Sequence, residues 1–424
     1  MATNPNTPPH LTKYPEFVAY HFLDPSGKLL AMVEDGNNTD KFLQEGLNID
    51  GSSIGVATVE KSDLKVMPEK ELFQTIRLPG SPMEHHRFVS HLVDQDGNPH
   101  PLDPRNILKK QVDKAHNMGF EPYMFSEIEF YIVDEATHQP IDKASYCSLP
   151  PYDKSYQFRQ ELGRTCKELG MQVKRIHHEC GPGQNEIELN LTPCMKNADD
   201  TVLCMWVLEM MAHQRKQKIV FSPKPFADEA GNGLHHHILL RNLQTGENAF
   251  APAAEKDESL SKVCRSGIAG LLQYSDEITA VMGASPETFV RLRPGFEAPN
   301  LKAWGFSNRT ALVRVPATGS TESTRFEYRG GDLSGSVHSF GAVLLAAVLK
   351  GIEDDLEPPA SIESNTEHLS KEELQEKDID HVPLSFNECL YVLETSNFLR
   401  EAFGEDAVNV LIERDTKLFE AQSF

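Results

Sequence analysis

The residues best suited to chemistry lie between 291 and 329, RLRPGFEAPNLKAWGFSNRTALVRVPATGSTESTRFEYR. Arg291, Arg309, Arg314, Arg325 and Arg329 recur there, with Glu297 and Glu327 among them. Guanidinium groups are planar and grip phosphate or carboxylate with paired hydrogen bonds. The stretch ends in strict alternation. In a strand, side chains two apart share a face, so Arg325, Glu327 and Arg329 would point one way and Phe326 and Tyr328 the other. That pattern suits a polyanion site with a carboxylate on the same wall to hold a metal. It also suits an ion-pair ladder on a solvated sheet face.

Three other stretches repeat the pattern. In SEIEFYI, Glu127 and Glu129 face away from Ile128, Phe130 and Ile132. In QNEIELNL, Glu186, Glu188 and Asn190 oppose Ile187, Leu189 and Leu191. In GLHHHILL, His235 and His237 oppose Leu234, His236 and Ile238. One strand of this kind is an ordinary half-solvated strand. Four together predict a curved sheet whose outer face packs on helices and whose concave face is a charged cleft. Glu127, Glu129, Glu179, Glu186, Glu327 and His235 could supply oxygen-rich ligands with an imidazole, a set for Mg²⁺ or Mn²⁺. Two such cations bridging a triphosphate, with arginines on its outer oxygens, would make a metal-dependent phosphoryl-transfer enzyme. There is no G-x-x-x-x-G-K-[ST] phosphate loop. Gly51-Ser52-Ser53-Ile54-Gly55 matches G-x-S-x-G, but the polar FLQEGLNID before it is a poor substitute for the buried strand of a nucleophile elbow, and a Gly/Ser turn is the better reading.

The elements that must position these residues follow from the chain as a whole. Its 424 residues carry a net charge of −22, which argues against nucleic-acid and membrane-surface partners and leaves positive charge for a site. Seven scattered cysteines without C-x-x-C read as reduced thiols of a cytoplasmic protein. The Pro-rich residues 1–15 read as a disordered tail without a signal peptide, and no run approaches the ~18 apolar residues of a membrane span. Residues 16–102 contain the short strand-like runs FVAYHFLD, LLAMVE and RFVSHLVD and form a small first domain. Residues 103–424 alternate strands with helices, and form the second. Helices are expected over SYQFRQELGRTCKELG, DDTVLCMWVLEMMAHQRKQ, LSKVCRSGIAGLLQYSDEITAVM, VHSFGAVLLAAVLKGIEDDL, SFNECLYVLETSNFLREAF and DAVNVLIERDTKLFEAQ. Residues 353–381 are acidic and polar, a loop with a short helix.

In this order the motifs resemble the glutamine synthetase family, nearer its bacterial type I members, from about residue 16 to residue 420. The resemblance rests on DGSSI at 50–54, Glu127-Ile128-Glu129, Glu179 with GQNE at 183–186, GNGLHHH at 231–237, Arg291 with PGFEAP at 294–299, Asn308-Arg309 through Arg314-Val315-Pro316, and RFEYR at 325–329. It implies an α+β fold: a β-grasp N-terminal domain, then an ATP-dependent catalytic domain with a curved antiparallel sheet backed by helices, like that of the guanido kinases. It implies a homo-oligomer of stacked rings, dodecamer-like, with active sites between subunits. The chemistry would be phosphorylation of the γ-carboxylate of glutamate by ATP, followed by attack of ammonia. Glu129, Glu179 and Glu186 would hold one divalent metal, and Glu127, His235 and Glu327 the other. Arg309, Arg314 and Arg325 would meet phosphates, with His237 near the nucleotide. Arg291 and Arg329 would bind substrate carboxylates, with His235 beside them, and the Gly231 backbone the amino group. Asp50 of a neighbouring subunit would attract and deprotonate ammonium, with Glu297 completing its pocket. Asp63 is either a helper there or a surface charge.

Several positions depart from the family pattern. Ala230 stands where Asn is usual, Leu239 where Ser is usual, and Val56 and Ala57 replace a Trp-bearing turn. After Arg329, P-D-P-A-A-N-P-Y becomes Gly330-Gly331-Asp332-Leu333-Ser334-Gly335-Ser336-Val337. The acidic loop lacks the tyrosine that carries bacterial adenylylation. Glu188 matches no family ligand and reads as a wall charge; His236, Trp304 and Phe306 read as packing residues. Metal and phosphate positions stay intact while the acceptor wall changes, so a γ-glutamyl ligase for methylamine, a polyamine or another amine is the alternative to ammonia. A non-catalytic relative would show damaged ligand positions, and all six are present.

Overall fold

The computed structural model describes residues 13–252, 260–293, 295 and 298–422. The expected N-terminal tail lies outside the described residues up to residue 12, as do Pro294, Phe296 and Glu297. Two compact units are present, Met1–Asn106 and Ile107–Phe424.

In the first unit, strands β1 (Phe17–Leu23), β2 (Leu29–Asp35), β3 (Leu47–Asp50), β4 (Asp63–Arg77) and β5 (Glu84–Val93) form one sheet in the order β2-β1-β5-β4-β3. β1 and β5 are parallel; the other pairs are antiparallel. The turn after β1 closes because the Asp24 carboxylate accepts from the backbone N–H groups of Ser26 and Lys28 while Gly27 takes φ +85°. Val18, Tyr20 and Phe22 alternate from β1 into the core, and the Tyr20 ring stacks on Phe88 at 5.8 Å. Three elements go beyond the sequence reading: helix Thr39–Glu45 and β3, which together replace a loop over the polar FLQEGLNID, and β4, 15 residues long. β4 lacks clean alternation because its middle is charged and its pairing with β5 shifts register between Pro68 and Phe73.

The second unit holds β6 (Phe120–Asp134), β7 (Val173–His178), β8 (Gln184–Leu189), β9 (Thr192–Pro193), β10 (Gln217–Val220), β11 (Leu234–Asn242), β12 (Trp304–Phe306), β13 (Val313–Val315) and β14 (Phe326–Tyr328). They run in the order β12-β13-β14-β11-β6-β8-β7, with β9 and β10 also paired to β6. One face is apolar: Ile128, Phe130 and Ile132 of β6, Ile187 and Leu189 of β8, and Leu234 and Ile238 of β11 are buried. Helix Cys194–His213 lies against β6, and helix Val337–Glu353 packs on Cys194–His213, Lys262–Gln273 and Ser275–Met282. Enclosure explains why Val337–Glu353 is apolar nearly all round. Its contact with Lys262–Gln273 is close: a Cβ on Gly351 would sit 2.7 Å from the Gly270 Cα.

Two expected helices are each split. LSKVCRSGIAGLLQYSDEITAVM divides at Tyr274, and SFNECLYVLETSNFLREAF at Ser396, whose hydroxyl accepts from the Leu399 N–H and starts helix Asn397–Phe403. The apolar period continues through both breaks, so periodicity alone does not find them. The short helix expected in the acidic loop is Lys371–Glu376, opened by a capping box between Ser370 and Glu373.

Candidate active site

Residues directly opposite in an antiparallel pair project to the same side of a sheet. The register therefore assembles a charged face rung by rung. Arg314 lies opposite Glu327, Glu327 opposite His237, and His237 opposite Phe125. On the next rung His235 lies opposite Glu127, Glu127 opposite Glu188, and Glu188 opposite Arg175. Then Glu129 faces Glu186, which faces His177. Six strands thus converge charged side chains that lie up to two hundred residues apart in sequence.

Glu127 is central. Its carboxylate lies 2.8 Å from His237 Nε2 and 3.3 Å from His235 Nδ1. Glu327 is wholly buried between two guanidinium groups, with Arg314 Nη1 donating at 2.6 Å and Arg329 Nη1 at 2.5 Å. It also stands 3.8 Å from His235 and 3.9 Å from His237. Burial alone would raise the Glu327 carboxyl, but Arg329 and His237 outweigh it and bring it to about 2. Glu127 is likewise held well below the usual carboxylate range, its burial overcome by His237 and His235. An ion-pair ladder on a solvated face does not describe this arrangement, because the charges are paired inside the protein.

The other half of the face crowds carboxylates together. Burial, aided by the nearby Glu127, Glu129, Glu179 and Glu188, pushes the Glu186 carboxyl well above its ordinary value. Burial raises Glu129 as well. Glu179 stays low against its burial because His177 Nε2 lies 2.9 Å from it and the Cys180 N–H donates to it. Crowded buried carboxylates of this kind ask for a cation.

The arginines divide by depth. Arg291 ends helix Pro286–Arg291, is buried, and reaches the carbonyls of Gly330 and Arg329 at 3.3 and 3.4 Å. It also underlies the glycine loop: a Cβ on Gly231 would lie 3.0 Å from Arg291 Cγ, and one on Gly233 2.9 Å from Nη2. Arg329 Nε donates to the Arg309 carbonyl at 3.0 Å, and the Arg309 side chain is exposed. Arg325 Nε donates to His237 Nδ1 at 3.1 Å. The Gly231 carbonyl accepts from Gln184 Nε2 at 2.9 Å, and the Gly233 N–H donates to Glu129 at 2.7 Å.

Asp50 belongs to the first unit, where Ser52 and Ser53 donate to its two carboxylate oxygens at 2.6 and 2.7 Å, lowering it. Ser53 therefore sits in the 3₁₀ turn Gly51–Ile54 as a donor to an aspartate, the Gly/Ser turn expected from its flanks. His236 faces the helices, buried edge-on to Phe340, with burial lowering it to about 3. Trp304 is buried, and Phe306, though 41% exposed, packs its ring against Trp304 at 5.4 Å.

Sequence reasoning missed several neighbours of the site. His177 sits on β7, a strand that the polar VKRIHH does not announce. Tyr146 lies edge-on to His177 at 5.3 Å. Phe125 stacks on His237 at 4.0 Å, and Lys174 Nζ and the Arg325 guanidinium lie over its ring. Glu188, read as a wall charge, is a buried carboxylate paired with Lys174 at 2.6 Å and Arg175 at 3.1 Å. The period of β8 places Glu188 correctly; both its partners come from β7.

Among the described residues, three groups bring ligand atoms within 4.8 Å of one another: Glu127, His237 and Glu327; His177, Glu186 and Glu188; and Asp142, Asp153 and His178. The third is a closed hydrogen-bond network. Asp142 accepts from His178 and from the N–H groups of Ala144, Lys154 and Gly183, while Arg159 supplies the cation for Asp153. The first two border the crowded carboxylates. Their oxygen-rich, imidazole-bearing set fits Mg²⁺ or Mn²⁺ better than a thiolate metal.

A sheet with such a face, carboxylate-crowded at one end and guanidinium-lined at the other, can seat divalent cations and meet anionic groups. Comparison with known proteins gives the family. The sequence model for the glutamine synthetase catalytic domain matches residues 101–424, and that for the glutamine synthetase β-grasp domain matches residues 15–94. The chain is 34% identical over 399 residues to glutamine synthetase of Mycobacterium tuberculosis H37Rv, covering 92% of this chain and 89% of the relative. It is 31% identical over 404 residues to that of Pyrococcus abyssi, covering 94% and 89%. In fold it resembles the Plasmodium falciparum glutamine synthetase structure (TM-score 0.87, 21% identity, 96% and 93% covered) and a GmaS–ADP complex (TM-score 0.84, 23% identity, 96% and 94% covered). The protein belongs to the glutamine synthetase family and is a ligase of that family, with a β-grasp N-terminal domain and a curved catalytic sheet.

Proposed function

We propose that this ligase makes glutamine from glutamate and ammonia at the expense of ATP, through γ-glutamyl phosphate. The observation that carries the reading is the single face on which the buried Glu127–His237–Glu327 group, the crowded Glu129–Glu179–Glu186 carboxylates and Arg291, Arg314, Arg325 and Arg329 converge. Residues 16–102 then serve as the β-grasp domain and 103–424 as the ATP-dependent catalytic domain.

Glu129, Glu179 and Glu186 would hold one divalent cation, and Glu127, His235 and Glu327 the other, with His237 as near to Glu127 as His235 is. Bound there, such cations offset carboxylate charge and draw phosphate oxygens into place. Arg309, Arg314 and Arg325 orient the phosphates; His237, stacked on Phe125, borders the nucleotide. Arg291 and Arg329 take substrate carboxylates. The Gly231 carbonyl has a second lone pair beyond the one Gln184 uses, available to an amino group. Asp50, from a neighbouring subunit of a ring-shaped homo-oligomer, attracts ammonium; its lowered carboxyl suits holding a cation better than holding a proton. Glu297 completes that pocket, in a segment that would keep water from the acyl phosphate. No described helix is long and apolar enough to cross a membrane, and the acidic, thiol-bearing chain fits the cytoplasm.

The second reading, a γ-glutamyl ligase for methylamine or a larger amine, is favoured by Ala230 and by residues 330–337. Ala230 offers the site no polar side chain, and its carbonyl is already taken by Tyr131. Phosphate release from ATP with Mg²⁺ and glutamate, measured across ammonium, methylamine, ethanolamine and putrescine, decides. Turnover only with a larger amine rejects ammonia; absence of turnover together with absence of ATP binding by calorimetry leaves a non-catalytic relative.

A further inference from the structure

One rung of the charged face carries no charge. Beyond Glu129 and Glu186, β6 places Tyr131 opposite Gln184 of β8. Both side chains are buried and both reach the loop that precedes β11. The Tyr131 hydroxyl donates to the Ala230 carbonyl at 2.7 Å. Gln184 Nε2 donates to the Gly231 carbonyl at 2.9 Å and to Asn232 Oδ1 at 3.2 Å. The Glu129 carboxylate takes the Gly233 N–H at 2.7 Å. Asn232 fastens the far side, donating from Nδ2 to the carbonyls of Val220 and Ser222 and from its backbone N–H to that of Pro223.

Gln184 also faces the other way. Its Oε1 accepts the Gly181 N–H at 2.9 Å, and its backbone carbonyl accepts the Glu179 N–H at 2.8 Å. A Cβ on Gly181 would run into the Tyr131 hydroxyl, so the turn, the phenol and the amide form one packed unit. One side-chain amide therefore ties the turn bearing Glu179 and Glu186 to the loop bearing Gly231.

We propose that Tyr131 and Gln184 are positioning residues that fix the glycine loop as the seat of the amino-acid substrate, and that Gln184 couples this seat to the metal carboxylates. The assignment rests on the function proposed above. With Ala230 supplying no polar side chain, the seat is built from backbone. Backbone holds a substrate only when its own peptide planes are fixed, and the Ala230 and Gly231 carbonyls are each fixed by one of the two side chains. Neither side chain touches the phosphate arginines in the contacts described, so the effect belongs to the amino acid and not to ATP.

The test is steady-state phosphate release by the full-length protein, with glutamate and ATP varied separately, alongside Mn²⁺ calorimetry and thermal unfolding. Tyr131→Phe removes one hydroxyl and keeps the ring. Losing that buried hydrogen bond should raise the glutamate KM about tenfold, with the ATP KM within about twofold of wild type. Gln184→Met removes both donors and the acceptor; it should raise the glutamate KM further and also weaken Mn²⁺ binding, which Tyr131→Phe should not. Gln184→Glu, which keeps an acceptor for Gly181 but sets an oxygen against the Gly231 carbonyl, should behave like Gln184→Met. An unchanged glutamate KM in Tyr131→Phe, or glutamate and ATP KM values rising together, overturns the inference. Wild-type protein that releases phosphate without any dependence on glutamate overturns the function itself, and the seat with it.

Discussion

Replacing Glu327 by Gln removes one negative charge and almost no volume. The residue is wholly buried, accepts from Arg314 at 2.6 Å and Arg329 at 2.5 Å, and has two histidines within 3.9 Å. Removing one partner of a buried ion pair costs about 3–5 kcal/mol, because the remaining charge is left uncompensated. The pH dependence gives a separate measure. Relative to an ordinary 4.5, a folded-state value of about 2 corresponds to about 3 kcal/mol of stability. A carboxyl lowered on folding contributes that stability above pH 4.5 and loses it as pH falls from 4.5 through about 2. Glu327→Gln should therefore lower the urea midpoint at pH 7 and flatten the acid limb of stability against pH below 4.5. If Glu327 also holds a metal, phosphate release at saturating ATP should fall at least ~100-fold, the scale of about 3 kcal/mol of lost transition-state stabilisation, and Mn²⁺ affinity by calorimetry should fall with it. A variant that loses stability but keeps wild-type turnover and Mn²⁺ affinity would refute the metal role and return Glu327 to a purely structural ion pair.

Mg²⁺ or Mn²⁺ should raise the unfolding temperature by more as pH increases, because the raised Glu186 carboxyl must give up its proton to bind metal; a rise that does not grow with pH would contradict the assignment. Asp50→Ala should raise the ammonium KM at least about tenfold while leaving ATP binding by calorimetry unchanged, as expected for loss of a charged contact; unaltered ammonium kinetics would remove Asp50 from the acceptor site. Ser53→Ala should retain ATP-dependent turnover at saturating ammonium, since Ser53 only donates to Asp50; complete loss of turnover would reopen the serine as a nucleophile. His21, buried and accepting from Arg87, is lowered to about 3, so its contribution to stability is present above pH 6.5 and is lost between 6.5 and about 3. His21→Gln should flatten the urea-midpoint curve in that window, and an unchanged curve would show that the imidazole titrates in the fold as it does in the unfolded chain.

Much of the site was legible because β-structure has a period of two. Any strand with one face on helices and one on a cleft must alternate, so Glu127/Glu129, Glu186/Glu188, His235/His237 and Arg325/Glu327/Arg329 announced both the sheet and the face. The helices of the second unit were legible from their own period, apart from the breaks at Tyr274 and Ser396, where a turn interrupts the backbone while the apolar spacing runs on. β4 and β7 were hidden because their polar residues are satisfied by neighbouring strands that no local pattern names.

The sequence by itself determined which residues share a face within each strand, and that carboxylates, imidazoles and arginines were too regularly placed for a solvated surface. Tertiary structure alone decided which strands are neighbours, and with that every electrostatic property of the site. Glu327 is a strong acid because Arg329 and, from β11, His237 outweigh its burial, and Glu186 a weak one because it is buried and β6 brings Glu127 and Glu129. His177, and the Tyr131–Gln184 rung that grips the glycine loop, join the site only through pairing across β6, β7 and β8. Side-chain alternation is a property of one strand, fixed by local geometry. A pKa or a shared hydrogen bond depends on distance across strands, and register sets that distance.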